Sequence, residues 1–347
     1  MPSLFTRHPM LLQTAFSELK RQASEQTAVL VGTPGSVGVR QVKGRPFYYR
    51  QFYDAEGKKA ARYIGAAENA DAERLAAAIR DQIALSTELS RDARLLAARG
   101  YVRVDSRTGA IVASFVNHRL FQSGAVLVGS HAYGALLNEV GIRAAAFATE
   151  DIDLARDGRL TLGEPTDFAH VLDESTVRLV PVPGFDPSSP PTSYKVSGKD
   201  RLRVDLLVPS SGREAVIRPV PELRAHAIAL PHLRALLVDP IDTVLLTREG
   251  ASPIRVPRPS AFLWHKLQLP ALRSDLDKQR KDVLQASVLF AVLAEDTPGE
   301  LAESHAALSA SARKRLVSGA RQAARLFAGG PHERAATLLA ELVPAAR

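Results

Sequence analysis

The chain has 347 residues, 46% of them apolar and 24% charged, enough to bury a sizeable core and to divide into two or three units. It contains no cysteine, which excludes disulfides, thiolate nucleophiles and cysteine-type zinc sites, and its nine histidines show no metal-ligand spacing, so any metal must be a hard, oxygen-liganded one. No uninterrupted apolar run approaches the roughly 20 residues of a membrane-spanning helix, and Met1 to Arg7 does not lead into a signal-peptide apolar segment, so no membrane partner is expected and the cytoplasm is the expected location. A net charge of +8 favours polyanions such as nucleotides and RNA, although arginine-rich chains reach such a balance without binding nucleic acid.

From Pro9 to Ala28, apolar residues at Leu12, Ala15, Phe16 and Leu19 keep a helical spacing. Thr33 to Gly38 reads as a flexible break. Pro46 to Tyr53 and Lys59 to Ile64 flank the polar turn Asp54 to Lys58, which predicts a hairpin. Arg45, Arg50, Lys58, Lys59 and Arg62 sit among its tyrosines, an arrangement that can stack bases and neutralise phosphates, or simply keep the edges of a packed hairpin soluble. Ala70 to Arg99 predicts one or two helices closed by Gly100. Tyr101 to Val104 and Gly109 to Val112 predict a second hairpin, Phe115 to Phe121 a helix, and Ala125 to Val128 a central strand. Pro165 to Glu174 predicts a helix with Pro165 near its first turn, and Pro181 to Pro191 a surface loop. Tyr194 to Val196 and Leu202 to Val208 predict a hairpin. Ala235 to Val238, Val244 to Thr247 and Ile254 to Val256 predict strands, and Ser260 to Ala346 is expected to be helical.

The chemistry concentrates in three places. Gly129-Ser130 falls where an apolar strand hands over to a helix, so its amides would meet a phosphate at the positive helix end. Glycine there allows close backbone approach, and the Ser130 hydroxyl adds a donor. Asp151 and Asp153 alternate along a strand with Ile152 and Leu154, so both carboxylates project from one face. Two carboxylates held that close repel by roughly 4 kcal/mol at an intermediate dielectric, a cost that a divalent cation reverses. Asp205 lies within the apolar run Val204 to Val208, where an unpaired carboxylate costs several kcal/mol, and a shared metal would pair with it.

Gly-Ser, an Asp-x-Asp pair and a distant third Asp resemble the pattern of the polymerase-beta-like nucleotidyltransferase superfamily. More narrowly, the chain is similar to bacterial nucleotidyltransferase-like proteins with an N-terminal basic-aromatic hairpin, over roughly Ser36 to Leu293. The resemblance implies that Asp151 and Asp153 bind two magnesium ions, a role manganese can also fill. It implies too that Asp205 helps hold the catalytic ion and accepts the acceptor's proton, and that Gly129 and Ser130 grip the triphosphate. Similar proteins carry a lysine in one C-terminal helix and a Lys-Asp pair in the next, positions matched by Lys266 and by Lys281 with Asp282. Both lysines are expected at the nucleotide; for Lys281 a solvated face paired with Asp277 is the competing reading. The interval from Gly129 to Asp151 is about twice that of minimal members, and the added Val140 to Thr149 is expected as a loop. His131 could touch a phosphate but reads rather as a capping or packing residue, and Tyr133, a candidate to stack near the nucleotide, reads as packing. No phosphate-loop pattern Gly-x-x-x-x-Gly-Lys-Ser/Thr and no Gly-x-Ser-x-Gly elbow occurs.

The expected fold is α/β of the α+β kind: a mixed sheet with helices (115–258), an N-terminal hairpin-and-helix part (1–114) and a C-terminal helical part (259–347). The expected activity is two-metal transfer of a nucleoside monophosphate from a nucleoside triphosphate to a hydroxyl acceptor, with RNA or tRNA favoured by the basic hairpin and the positive charge. Three other roles stay open: a non-catalytic nucleic-acid-binding protein that keeps the fold, a structural subunit whose acids only hold a metal, and the toxin of a toxin-antitoxin or phage-defence pair.

Overall fold

The computed structural model describes residues 2–146, 149–184, 188–212 and 214–344. The N-terminal part runs β1 (Phe5–Arg7), α1 (Met10–Ser24), β2 (Ser36–Val42), β3 (Arg45–Tyr53), β4 (Lys59–Ala66), α2 (Ala70–Ala98) and α3 (Ser106–Asn117). The central part runs β5 (Val126–Val128), α4 (Gly129–Glu139), β6 (Ile142–Ala144), β7 (Asp151–Ala155), α5 (Phe168–Asp173), β8 (Leu179–Pro181), β9 (Ser193–Val196), β10 (Arg203–Ser210), β11 (Val216–Val220) and β12 (Ala225–Pro231). It ends with β13 (Ile241–Leu246) and β14 (Ala251–Val256), before α6 (Pro259–Gln268), α7 (Leu276–Asp296), α8 (Pro298–Ala306), α9 (Ala310–Phe327) and α10 (Glu333–Leu342).

The main sheet has the order β11-β12-β10-β7-β5, with β9 beside the first half of β10 and β8 outside β9. β10 is parallel to both β7 and β12, whereas β5 is antiparallel to β7, so the sheet is mixed as the α+β reading requires. The period-2 pattern is plain in the two strands that matter. Ile152, Leu154, Val204 and Leu206 are buried on one face, which leaves Asp151, Asp153, Arg203 and Asp205 on the other. One continuous apolar core runs from Phe5 through the sheet to Trp264, Phe290 and Val343, so the N-terminal, central and helical parts share their packing. A smaller cluster ties Phe16 and Leu19 of α1 and Leu89 of α2 to Val244 and Leu246 of β13.

Several local expectations are corrected. The second hairpin, 101–112, is absent: Asp105 accepts hydrogen bonds from the Arg107 and Thr108 amides at 2.9 and 3.1 Å and caps α3, which absorbs Gly109 to Val112 and ends at Asn117. Helix α3 is buried nearly all round, so its apolar run carries no helical stripe to read. The expected break at 33–38 passes into β2, an exposed strand without apolar alternation, and the hairpin is a three-stranded sheet. Residues 235–238 form a 3-10 turn, Arg234–Leu237, since a short apolar run does not distinguish strand from turn. β11 and β12 escape prediction because Pro219 and Pro231 argue against strands, although an edge strand such as β11 tolerates proline. Helix α5 starts only at Phe168, capped by Asp167, and the segment 140–149 contains β6, paired with β1. Residues 147–148 of that segment, 185–187 of the expected loop and 345–346 of the helical tail lie outside the described residues.

Candidate active site

Strands β7 and β10 run parallel and in register, with Asp151 beside Arg203 and Asp153 beside Asp205. Neighbouring strands are about 4.8 Å apart, so these four side chains form a compact block of three acids and one cation on one sheet face. β5 ends at Val128, opposite Asp153, and its next residue opens α4. Gly129 has φ of 71°, and a Cβ built on it would stand 2.1 Å from Asp153 Oδ2. Only glycine lets the helix start against that carboxylate. No side chain caps the α4 N-terminus, and its first residues, Gly129 and Ser130, line the same cleft as the acids.

Gly129, Ser130, Asp151, Asp153, Asp205, Lys266 and Lys281 all line one cleft of about 360 Å³, a volume in the range of small-molecule sites. The acids form its floor, on β7 and β10. The opposite wall comes from α6 and α7. Lys266 is buried and donates to Asp282 Oδ1 at 2.6 Å, while Arg273 donates to the other oxygen of Asp282 at 2.7 Å. Two cations on one carboxylate leave one net positive charge facing the acids. Burial lowers the Lys266 pKa against the pull of Asp282, and burial followed by the charge of Lys266 lowers that of Lys281. Lys281 is half-buried on the cleft wall, while its neighbour on the other face, Arg280, approaches Asp277 at 3.4 Å.

The floor is electrostatically tense. Burial, reinforced by Asp205 and Asp151, pushes the Asp153 pKa up to about 6, and among the described residues its carboxylate has no hydrogen bond or ion pair. Asp205 is also raised, mainly by burial, but it accepts hydrogen bonds from the Ser193 hydroxyl and, at 2.9 Å, from Arg203 Nη2. Arg203 Nε also lies 3.5 Å from Asp151 Oδ1. A single guanidinium therefore bridges Asp151 and Asp205. Arg203, Ser193, Arg273 and the pairing role of Asp282 were not read from the sequence. Arg203 stands two residues before Asp205, so the alternation that joined Asp151 to Asp153 would have placed it on the same face.

Among the described residues no three His, Cys, Asp or Glu side chains meet closely enough to hold a metal ion as they stand. The Arg203 guanidinium, 2.9 Å from Asp205 and 3.5 Å from Asp151, occupies the space between those two carboxylates. The donor set nonetheless fits a hard divalent cation: three carboxylates on one face, Asp205 buried and Asp153 half-buried with no ion-pair partner among the described residues, beside a glycine that a Cβ would fill. His131 and Tyr133 are packing residues. Burial holds the His131 pKa down to about 4, and Tyr133 stacks on Phe262 with centroids 6.0 Å apart. In the N-terminal sheet, Arg50 is buried and donates to the carbonyls of Val31, Thr33 and Pro34, and Lys58 pairs with Glu56. That leaves Arg45, Lys59 and Arg62 of the expected basic surface.

A mixed sheet whose strand ends carry an acid cluster beside a glycine-led helix, closed by a basic helical wall, defines a nucleotide-handling α/β protein. The chain belongs to the nucleotidyltransferase family, whose model matches residues 106–309, more than half its length and inclusive of every residue of the cleft. No curated protein and no solved structure matches it. Membership implies nucleotidyl transfer in general and a nucleotide substrate. No helix among the described residues is long and apolar enough to cross a membrane.

Proposed function

We propose that the chain transfers a nucleoside monophosphate from a nucleoside triphosphate to a hydroxyl acceptor, with magnesium or manganese held by Asp151, Asp153 and Asp205. The observation that carries this reading is the placement of Asp151, Asp153 and Asp205 side by side on one sheet face, against Gly129 and opposite Lys266 and Lys281. The triphosphate tail lies at the amides of Gly129 and Ser130, where the helix end favours negative charge. Lys281 and the net charge of the Lys266–Asp282–Arg273 cluster meet the departing pyrophosphate from the other wall. Divalent cations, when bound, neutralise the triphosphate and lower the pKa of the acceptor hydroxyl. The acceptor oxygen bonds to the α-phosphorus, the bond to the β-phosphate's bridging oxygen breaks, and the hydroxyl proton passes to Asp205. Bound cations would take the place of the Arg203 guanidinium on Asp151 and Asp205, and that side chain, 43% exposed, has room to move aside.

The test is incubation with labelled nucleoside triphosphates, magnesium and either total tRNA or whole-cell protein. Label that appears on one of these pools and vanishes in Asp151→Asn and Asp153→Asn supports the reading and names the acceptor class. Transfer that survives both changes overturns it. Salt-sensitive RNA binding with no label in any pool would instead favour a binding protein built on the same fold.

A further inference from the structure

A strongly basic surface lies outside the cleft. Helix α9 carries Arg313, Lys314, Arg315, Arg321 and Arg325 and no acidic residue. Its inner face is apolar and small, with Ala312, Leu316, Ala320 and Ala323 buried. Gly319 fits so closely that a Cβ would stand 2.2 Å from the Leu267 carbonyl oxygen. The helix is thus seated directly on α6, the helix that brings Lys266 to the cleft. Between α9 and the start of α7 runs an open groove of about 570 Å³, lined by Lys314, Arg315, Arg321 and Arg325 and by Arg280, whose guanidinium lies 3.4 Å from Asp277, with no carboxylate among its lining residues. Arg315 donates to the neutral Gln268 side chain, so its charge is not cancelled there.

We infer that this groove binds the phosphate backbone of a single-stranded RNA acceptor and leads its end into the cleft. The inference rests on the nucleotidyltransferase reading above and gives its acceptor a class and a path. Three features support it. Lys314 to Arg325 spans eleven residues, about 16 Å at 1.5 Å per residue, room for several nucleotides of a strand that carries one charge per about 3.4 Å. The groove and the cleft share a wall: Gln279 and Arg280 line the groove, and Lys278 and Lys281, their immediate neighbours on α7, line the cleft. The groove lining has no aromatic side chain on which a base could stack, so it reads phosphates and not sequence. This surface is separate from the N-terminal sheet, where Arg50 and Lys58 are already engaged.

The experiment is fluorescence anisotropy of labelled single-stranded RNA oligonucleotides with the full chain, in EDTA and without nucleoside triphosphate. The readout thus concerns the groove alone. Lys314→Gln, Arg321→Gln and Arg325→Gln together retain helix-forming stems. They are expected to weaken binding at least tenfold and to flatten the slope of log affinity against log salt by about 2, at about 0.7 per lost phosphate contact. Binding by the unchanged chain is expected to be equal for oligonucleotides of different base composition. A triple change at Arg45, Lys59 and Arg62 is expected to leave affinity unaltered, and thermal melting confirms that each variant folds. Three results overturn the proposal: full affinity in the groove variant, loss confined to the N-terminal variant, or displacement of RNA by polyglutamate at equal charge concentration. The last would assign the groove to an acidic protein. Failure of the transferase reading is a separate outcome, seen as the absence of labelled product while RNA still binds the groove.

Discussion

Asp153→Asn is expected to abolish transfer and to stabilise the protein. The carboxylate is pushed from 3.8 to about 6 by burial and by Asp205 and Asp151, so in the folded chain it holds its proton more tightly than in the unfolded one. A native state that binds more protons loses stability as pH rises, here through the window from about 4 to about 6. Above pH 6 the full cost of ionising Asp153 is present, on the order of 3 kcal/mol for a shift of about two units. At pH 5 the unfolded side chain is ionised and the folded one mostly is not, so roughly half of that cost remains. Asparagine has the same shape and no charge, and removes the cost. With an unfolding entropy of about 2.1 cal/mol/K per residue over the whole chain, the midpoint should rise by about 4 °C at pH 8 and about 2 °C at pH 5. Differential scanning calorimetry in EDTA measures both. A variant that melts at or below the parent at pH 8, or whose gain does not shrink at pH 5, would show that Asp153 is not strained by its neighbours, and the argument would fail.

Magnesium or manganese should reverse that sign in the parent chain, raising its midpoint at pH 8 while leaving Asp153→Asn unmoved in the same scans. Arg203→Gln removes the cation shared by Asp151 and Asp205. The metal-free protein should lose about 1 kcal/mol, a figure reduced for the exposure of the arginine, and titration calorimetry should show manganese binding severalfold tighter. Unchanged manganese affinity would mean that Arg203 does not compete for those oxygens. Gly129→Ala sets a Cβ 2.1 Å from Asp153 Oδ2 at a positive φ, so it should cost on the order of 1–3 kcal/mol in urea and remove the thermal shift induced by a nucleoside triphosphate. Asp282→Asn strips the carboxylate from a buried lysine and should cost about 3–5 kcal/mol by the same unfolding assay.

The acid floor was legible because strand alternation is a geometric rule: once Ile152 and Leu154 are assigned to the core, Asp151 and Asp153 have only the other face. The parallel register that sets Asp205 beside Asp153 is not written in either strand alone, and depends on pairing across some fifty intervening residues. Arg203 was not singled out, although the same alternation places it on the acid face. Lys266 was singled out in the sequence, and the structure sets it on the cleft wall with a partner the sequence did not assign to it. A lysine in an apolar run must have a buried partner, and Asp282, nearly two turns beyond the start of α7, was in view as part of the Lys-Asp pair. Three of the misread elements share a physical cause. Helix α3 is buried on all sides and shows no stripe, and β2 and β11 are exposed edges that show no alternation, so hydrophobic period had nothing to report.

The two sides of the cleft carry opposite charges, acids on the floor and lysines on the wall, and Asp282 pairs Lys266 on the wall side. By pairing Lys266 at 2.6 Å it keeps that ammonium on the helical wall, where its influence on Asp153 is felt but ranks below burial and the neighbouring acids. Removal of Asp282 frees Lys266 to answer the nearest unpaired carboxylate. The cost of ionised Asp153 then falls, and so does the stability gained from Asp153→Asn. A double-mutant cycle at pH 8 measures this directly: the gain of about 3 kcal/mol expected in the parent should shrink by at least 1 kcal/mol in the Asp282→Asn background. Equal gains in both backgrounds would mean that Lys266 is fixed by the packing of α6 alone, and that the wall and the floor keep their distance without Asp282.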